Sequence, residues 1–173
     1  MQFQLDQSIE VLASTPSILD ALLRNKSEAW LHCRKSPEAF TPIDVLGHLM
    51  LADETDWLPR ARLILEGHAH TPFPPFDRFD FQHLFANKAI ATLLDEFAIL
   101  RAQSLQTLAA LNLTEAQLDL PGTHPQFGPV TLRHLLATWA VHDLNHIQQI
   151  VKTMSNEYRE AVGPWQAYLS ILH

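Results

Sequence analysis

Four long stretches of the chain repeat apolar residues at helical spacing, and this repetition constrains the fold more than any other feature. Their clearest parts read SILDALLRN, VLGHLMLADETDWLPRARLILEG, LLDEFAILRAQSLQTLAAL and LRHLLATWAVHDLNHIQQIVKTM. Such spacing places apolar side chains on one stripe of a helix, and no segment shows the alternation typical of a strand. The sequence therefore predicts an all-α fold, an up-down four-helix bundle with long connections and a short extra terminal helix around PWQAYLSIL.

Prolines and capping residues predict where the first two long helices begin and end. We expect the first long helix to begin at Thr15-Pro16, after a shorter helical piece over roughly residues 6–13, because proline is favoured in the first turn. Thr41 should cap the second helix. Gly67 should end that helix and Pro59 should kink it.

Segments rich in helix breakers predict the connections. Residues 68–78 hold three prolines and are expected to form a loop. Residues 111–130 are expected to be a connector with one short turn of helix, before the last long helix opens at Thr131. No internal repeat or second domain is evident, so residues 1–173 are predicted to form a single domain.

The composition excludes several classes of function. The 12 basic residues stand against 19 acidic ones, a net charge of -7, and no basic run is present, so no nucleic acid partner is expected. The single cysteine, Cys33, cannot form an intramolecular disulfide and favours a reducing compartment. No signal peptide and no apolar run approaching about 20 residues is evident, which favours a cytoplasmic protein without a membrane partner.

Histidine is enriched, with 10 residues, and two of them share a helix face. His142 and His146 are four positions apart, which places their Cβ atoms about 5–6 Å from each other. Two imidazoles so placed can bind one ion at metal–nitrogen distances of roughly 2.0–2.1 Å. The face also carries Trp139 and Gln149, so it should look into the bundle. The alternative interpretation is a pair of core histidines satisfied by hydrogen bonds, and the spacing alone does not separate the two.

A third histidine strengthens the metal interpretation. His48 lies among apolar residues of the second helix beside Gly47, and a glycine inside a helix suggests close approach of another element. Three histidines from two helices match the ligand set of a catalytic metal site with open positions. Glu54, six residues beyond His48, is a weak candidate for a catalytic carboxylate, and Asp53 beside it is another. Gln149, Asn145 and Glu54 are candidate hydrogen-bond partners of the histidines, because metal-bound imidazoles usually need such a partner.

Two other metal sites fit the sequence poorly. HDLNH resembles the zinc-protease pattern HExxH, but Asp143 is one methylene shorter than the glutamate and should point away from the face that His142 and His146 share. A di-iron carboxylate bundle needs paired Glu-x-x-His motifs from two helices. Only Asp143 and His146 approach that motif, without a matching pair on another helix. We therefore reject the zinc-protease interpretation, and the di-iron interpretation also fits poorly.

The chain resembles the DinB-like superfamily, in particular its YfiT-like branch of metal-dependent proteins. The matching segments, in the expected order over most of the chain, are TPSILDALL, DVLGHLMLADETDWLPRARLILEG, PPFDRF, EFAILRAQSLQTL and HPQFGPVTLRHLLATWAVHDLNHIQQI. The resemblance implies a four-helix bundle whose His48, His142 and His146 hold a divalent metal. Zinc or nickel is the first expectation, with iron or manganese as alternatives. Relatives often carry a Trp-Ser pair before the second helix, where this chain has Phe40-Thr41.

The resemblance also implies a range of activities. Members of the superfamily include S-transferases and an isomerase that use a low-molecular-weight thiol as cosubstrate. We therefore expect a small-molecule substrate, with thiol-dependent S-transfer as the first hypothesis. A metal-dependent hydrolase and a non-catalytic metal-binding stress protein are the alternatives. The resemblance further implies a homodimer.

Overall fold

The structure, a computed structural model, describes residues 2–81 and 88–173. Seven α-helices, two β-strands and, near the C-terminus, two 3-10 helices form within these residues. The α-helices are α1 Leu5–Leu23, α2 Glu28–Leu31, α3 Pro42–Thr55, α4 Trp57–Leu65, α5 Ile90–Ala110, α6 Glu115–Leu118 and α7 Leu132–Asn156. The strands are β1 Pro121–His124 and β2 Gly128–Thr131, and the 3-10 helices are Gly163–Tyr168 and Ser170–Leu172.

The long helices pack as the predicted bundle. Helix α1 packs against α5 and α7, and α3 packs against the same two helices. Helices α5 and α7 therefore each contact both α1 and α3. Buried apolar side chains fill the bundle in two clusters, one that includes Trp139 and one that includes Phe97. The four-helix bundle predicted from the apolar spacing is confirmed. No helix of the described residues is both long and apolar enough to cross a membrane.

The start of α3 follows the sequence prediction. The Thr41 hydroxyl accepts a hydrogen bond from the Asp44 amide at 3.2 Å, and the Asp44 carboxylate accepts one from the Thr41 amide at 2.9 Å. This reciprocal pair satisfies two amides that a helix start leaves free. It fixes the first turn of α3, and His48 follows one turn later.

The predicted kink at Pro59 is a break between two helices. Pro59 has no N–H to donate to the Thr55 carbonyl, and the chain leaves helical geometry at Asp56, which separates α3 from α4. The end of α4 is as predicted. Gly67 takes a positive φ of 83°. Its amide donates to the Ile64 carbonyl, and the His68 amide donates to the Leu63 carbonyl.

The helix start predicted at Thr15-Pro16 is wrong, because α1 runs through both residues. Pro16 cannot donate to the carbonyl of Leu12, but Arg101 Nη1 donates to that carbonyl instead at 3.0 Å. The Thr15 side chain is fully buried, and its hydroxyl donates to a carboxylate of α7 at 2.7 Å rather than capping a helix. A tertiary hydrogen bond thus replaces the one that proline removes.

The connector between α5 and α7 contains the predicted helical turn, α6, and also a hairpin that was not predicted. Strands β1 and β2 pair antiparallel, with Gly122 opposite Val130. A Cβ on Gly122 would lie 2.8 Å from Cγ1 of Ile64 and 2.9 Å from Cζ of Phe73, so the hairpin packs closely on α4 and the loop after it. Strands of four residues are too short to show alternation, which is why the prediction of no strands failed. The terminal helix is present, but in 3-10 form.

Candidate metal centre

Three histidine side chains meet between α3 and α7. The Nε2 atom of His142 lies 3.1 Å from Nε2 of His48 and 3.1 Å from Nε2 of His146. One ring nitrogen of each residue lies within 4.8 Å of the others. His142 and His146 stand one turn apart on α7, and His48 faces them from α3, so the bundle brings together the three histidines that the sequence singled out.

The spacing of these nitrogens fits a shared divalent ion. Two nitrogens that bind one ion at roughly 2.0–2.1 Å, with an angle between about 90° and 110°, lie about 3 Å apart. The two 3.1 Å separations match that requirement. Three imidazoles also belong to the donor set that zinc, nickel and related metals prefer. The residues present therefore fit the metal that the sequence predicted.

Burial keeps these rings neutral, as ligands must be. Burial is the main cause that lowers the pKa of His48 to about 4 and that of His142 to about 3, and the neighbouring His146 lowers both further. Burial also lowers the pKa of His146, against the opposing effects of Gln149 and Asp143. Each ring at neutral pH thus has one nitrogen with a free lone pair for a metal.

One neighbouring amide sets the orientation of His146. Its Nδ1 lies 2.8 Å from Gln149 Oε1, and because that oxygen can only accept, Nδ1 carries the proton and Nε2 keeps its lone pair. No hydrogen bond of normal geometry from the described residues reaches Nδ1 of His48 or of His142, although the Arg78 backbone raises the pKa of His48 in part. Gln149 is therefore the side chain that fixes a ligand tautomer, a role the sequence assigned to it as one of three candidates.

Aromatic rings enclose the cluster. The rings of Phe40 and Phe76 lie 5.7 Å and 5.5 Å from the ring of His48, measured between centroids. The ring of Trp57 lies edge-on 5.1 Å from that of His142. Phe40 thus packs against a candidate ligand at the position where relatives often carry tryptophan, while Thr41 caps α3. The walls restrict access by water and hold the imidazoles in place.

The cluster opens into a cavity of about 330 Å³, called here the histidine cavity. Its described lining residues are Glu38, Ala39, Phe40, His48, Arg78, His146 and Gln149. Glu38 brings a carboxylate and Arg78 a guanidinium to the cavity, and the sequence reasoning missed both. They lie in loops without helical periodicity, so no spacing pattern could connect them to the histidines.

A buried ionic network lies behind the histidines. Arg101 donates to Asp53 from Nε at 2.6 Å and from Nη2 at 2.9 Å, and to Asp143 from Nη1 at 2.5 Å. The three side chains are 0–1% exposed. Asp143 also accepts a hydrogen bond from the Thr15 hydroxyl. Its carboxylate therefore binds Arg101 and Thr15 rather than facing the histidines, in agreement with our rejection of the zinc-protease interpretation. The sequence reasoning missed Arg101, although an arginine within the apolar stripe of α5 was the available signal.

The other sequence candidates lie elsewhere. Glu54 is exposed on α3 and is not among the described residues that line the histidine cavity, so its catalytic role stays a prediction. Asp53 is buried and bound to Arg101. Asn145, proposed as a partner of a ligand histidine, is exposed.

Comparison with known proteins agrees with this fold. A family model described as the DinB superfamily matches residues 12–150. The structure is similar to that of YfiT from Bacillus subtilis, described as a probable metal-dependent hydrolase with an unusual four-helix bundle topology. The two chains are 22% identical, with a TM-score of 0.72 over 89% of this chain and 87% of YfiT. A search of curated proteins found no match. Because the family model covers well over half of its residues, the chain belongs to the DinB superfamily.

Proposed function

We propose that this protein is a divalent-metal-dependent hydrolase of a small molecule, with His48, His142 and His146 as the metal ligands. The observation that carries the proposal is the convergence of three imidazole nitrogens, two of them on residues that line an open cavity, His48 and His146. The structural similarity to YfiT, itself described as a probable metal-dependent hydrolase, supports it. Zinc or nickel is the first candidate because three imidazoles suit both ions.

The residues around the cluster have separable tasks in such a reaction. His48, His142 and His146 would hold a divalent ion, which would supply Lewis acidity for the hydrolysis of an ester or amide. Gln149 holds His146 with its Nε2 lone pair toward the cluster. Phe40 and Phe76 limit the water around the cluster. Glu38 is the carboxylate lining the histidine cavity, and we propose that it moves protons between water and the leaving group.

The first experiment tests the ligands. Purified protein is expected to contain about one equivalent of zinc or nickel by elemental analysis, and His48→Ala should lose most of it. His70→Ala is the matched control, because His70 is exposed in the loop after α4. Metal content that is unchanged in His48→Ala contradicts the ligand assignment.

The second experiment tests the carboxylates. Glu38→Gln in zinc-loaded protein should lower kcat by about 10²–10⁴-fold without loss of metal, because that is the usual contribution of a general acid or base. Glu54→Gln is the control for the loss of a nearby carboxylate, and it also tests Glu54 as the catalytic carboxylate predicted from the sequence. A large loss of kcat in Glu54→Gln with no effect of Glu38→Gln would reverse the assignment.

The same protein can separate hydrolysis from the other activities expected from the sequence. Zinc-loaded and nickel-loaded samples are assayed on ester and amide panels with and without a low-molecular-weight thiol. Hydrolysis that is independent of thiol supports the proposal, whereas product formed only as a thiol conjugate supports S-transfer. A fourth protein ligand on the bound metal would favour a non-catalytic site, since structural zinc sites are usually closed by four protein ligands.

We further propose that the chain acts as one domain and as a homodimer, as the family resemblance implies. Sedimentation velocity of the metal-loaded protein distinguishes a dimer from a monomer of 19.6 kDa. A monomer at all concentrations would contradict the dimer.

A further inference from the structure

The 12 lysine and arginine residues are unevenly distributed. Five of them form ion pairs with aspartate or glutamate of the described residues: Arg24, Arg60, Lys88, Arg101 and Arg133. Four of the remaining seven line two adjoining cavities at the histidine cluster: Lys35, Arg78, Lys152 and Arg159. This concentration of basic groups, none of which pairs with an Asp or Glu side chain of the described residues, stands out in a chain with a net charge of -7.

The two cavities share a wall. The second, called here the basic cavity, has a volume of about 350 Å³ and is lined by Lys35, Lys152 and Arg159 among others. Ala39, Phe40 and Gln149 line both cavities, and Gln149 also holds His146. The two cavities therefore adjoin at Phe40 and Gln149, and the basic cavity lies within reach of an elongated molecule whose other end is at the histidines.

Helix α7 gives the length of such a molecule. Lys152 lies six residues beyond His146 on the same helix, and a rise of 1.5 Å per residue separates them by about 9 Å along its axis. The basic cavity continues to Asn156, one further turn away. The reacting bond and the group that meets Lys152 are thus separated by a chain of several carbon atoms.

The charge of the cavity wall gives the chemistry of that group. Lys35 and Lys152 are exposed and form no ion pair with Asp or Glu of the described residues, and Lys152 makes a long bond of 3.5 Å to the main-chain oxygen of His173. Arg159 is already engaged, since it donates to Asn156 Oδ1 and to the Leu172 carbonyl. Glu38 is the one residue with a carboxylate side chain among the described residues that line the two cavities. Lys35 is therefore available to bind an anion, and Lys152 can do so by giving up its long contact with His173.

We propose that the substrate is a small elongated anion, whose carboxylate or phosphate binds Lys35 and Lys152 while its ester or amide bond lies at the histidine cluster. This inference rests on the proposed hydrolase function. Water adds across the bond and releases an acid and an alcohol or amine, so the reaction needs no further reactant. The lysines select the substrate by charge, and the aromatic wall of the histidine cavity receives the reacting bond.

The test compares two probes that carry the same metal-binding hydroxamate. The first is suberic acid monohydroxamate, whose far end is a carboxylate. In the second, a neutral primary amide replaces that carboxylate. Titration calorimetry on zinc-loaded protein compares their affinities. The carboxylate probe should bind about three- to tenfold more tightly at low salt, as expected for two exposed ion pairs. The advantage should fall as salt rises, because salt screens exposed charges. A phosphonate-ended hydroxamate of equal length distinguishes phosphate from carboxylate as the preferred group.

The variants locate the effect. The double variant Lys35→Met and Lys152→Met should bind both probes equally, while the control Lys26→Met, an exposed lysine that lines neither cavity, should keep the difference. Equal affinities in the unaltered protein, or an advantage that survives in the double variant, would overturn the inference.

A metal-free measurement separates this inference from the metal proposal. Suberate should shift the side-chain amide NMR signals of Gln149 and Asn156 at low salt in metal-free protein, and not in the double variant. If neither hydroxamate binds but suberate causes these shifts, the metal assignment fails and the anion site stands. If the hydroxamates bind and suberate causes no shift, the metal assignment stands and the anion site is refuted.

Discussion

Replacement of Arg101 by methionine is the sharpest test of how this bundle is held together. Methionine keeps much of the length and apolar volume of the side chain but removes all five of its hydrogen bonds, two to Asp53, two to Asp143 and one to the Leu12 carbonyl. Both carboxylates are 0% exposed, so water cannot replace the guanidinium. The variant would leave two buried acidic groups and one buried carbonyl without their main donor.

The expected cost is large because the network is buried. Removal of one partner from a buried ion pair costs about 3–5 kcal/mol of unfolding free energy, since the other partner stays buried and uncompensated. Arg24→Met is a matched control, because Arg24 also contacts two carboxylates, Asp20 and Asp95, at 2.5 Å each. That network is exposed to solvent and salt, so its loss should change stability little.

The destabilisation by Arg101→Met should also depend on pH, and the pKa of Asp53 determines whether it is larger at low or at neutral pH. Burial raises the pKa of Asp53 to about 6 in the folded protein, although Arg101 lowers it in part. An aspartate of the unfolded chain has a pKa of about 3.9, so the folded state binds this proton more tightly. The protein therefore loses stability as pH rises from the unfolded pKa through the folded pKa. Without Arg101 the folded pKa rises further. The destabilisation by Arg101→Met should therefore be smaller at pH 5 than at pH 7, by about 1 kcal/mol or more.

Urea denaturation at pH 5 and pH 7 measures these differences, with wild type as the reference at each pH. Addition of Asp53→Asn to Arg101→Met should recover part of the stability at pH 7, because one buried unpaired charge becomes neutral. If Arg101→Met costs no more than Arg24→Met, or costs the same at both pH values, burial of the network does not have the energetic role assigned to it.

Two further predictions concern single contacts. Gln149→Leu should weaken zinc binding by about 10–100-fold, as expected when the partner of a ligand histidine is lost. Gln148→Leu, at an exposed neighbouring position, should not, and isothermal titration with zinc compares the two. Gly122→Ala should destabilise the protein by about 1–3 kcal/mol, because its Cβ would lie 2.8 Å from Ile64 Cγ1 and force the hairpin off α4. Thermal unfolding of the variant measures this loss, and an unchanged midpoint would contradict the close packing.

Local signals in the sequence were sufficient for the parts of the fold that depend on local interactions. The capping pair at Thr41 and the positive φ at Gly67 involve residues within one turn, so the residue types alone predicted them. The failure at Pro16 has the opposite origin. The hydrogen bond that compensates for it comes from Arg101, 89 residues away, and no local pattern reveals a donor at that distance.

The candidate site divides in the same way. The shared helix face of His142 and His146 follows from their spacing, whereas His48 needed its apolar surroundings and the family resemblance to join them. Glu38 and Arg78 reach the histidine cavity from loops, where side-chain direction depends on the path of the backbone rather than on any period. Reactive groups in loops are therefore the part of the site that the structure adds.

The position of the buried network suggests why its charges are kept. Apolar residues of similar volume can often replace a buried ionic cluster without loss of stability, so stability alone does not explain it. Asp53 lies five residues beyond His48 on α3, and Asp143 lies beside His142 on α7, so Arg101 joins the two helices that carry the ligands.

We therefore expect the network to set the register of α3 against α7. Addition of Asp53→Leu and Asp143→Leu to Arg101→Met should restore much of the stability lost in the single variant, because no buried charge is left unpaired. Zinc affinity should nevertheless stay reduced, since apolar side chains do not fix one register. If zinc affinity returns together with stability, Arg101 contributes only to the folding of the bundle and not to the geometry of the histidine cluster.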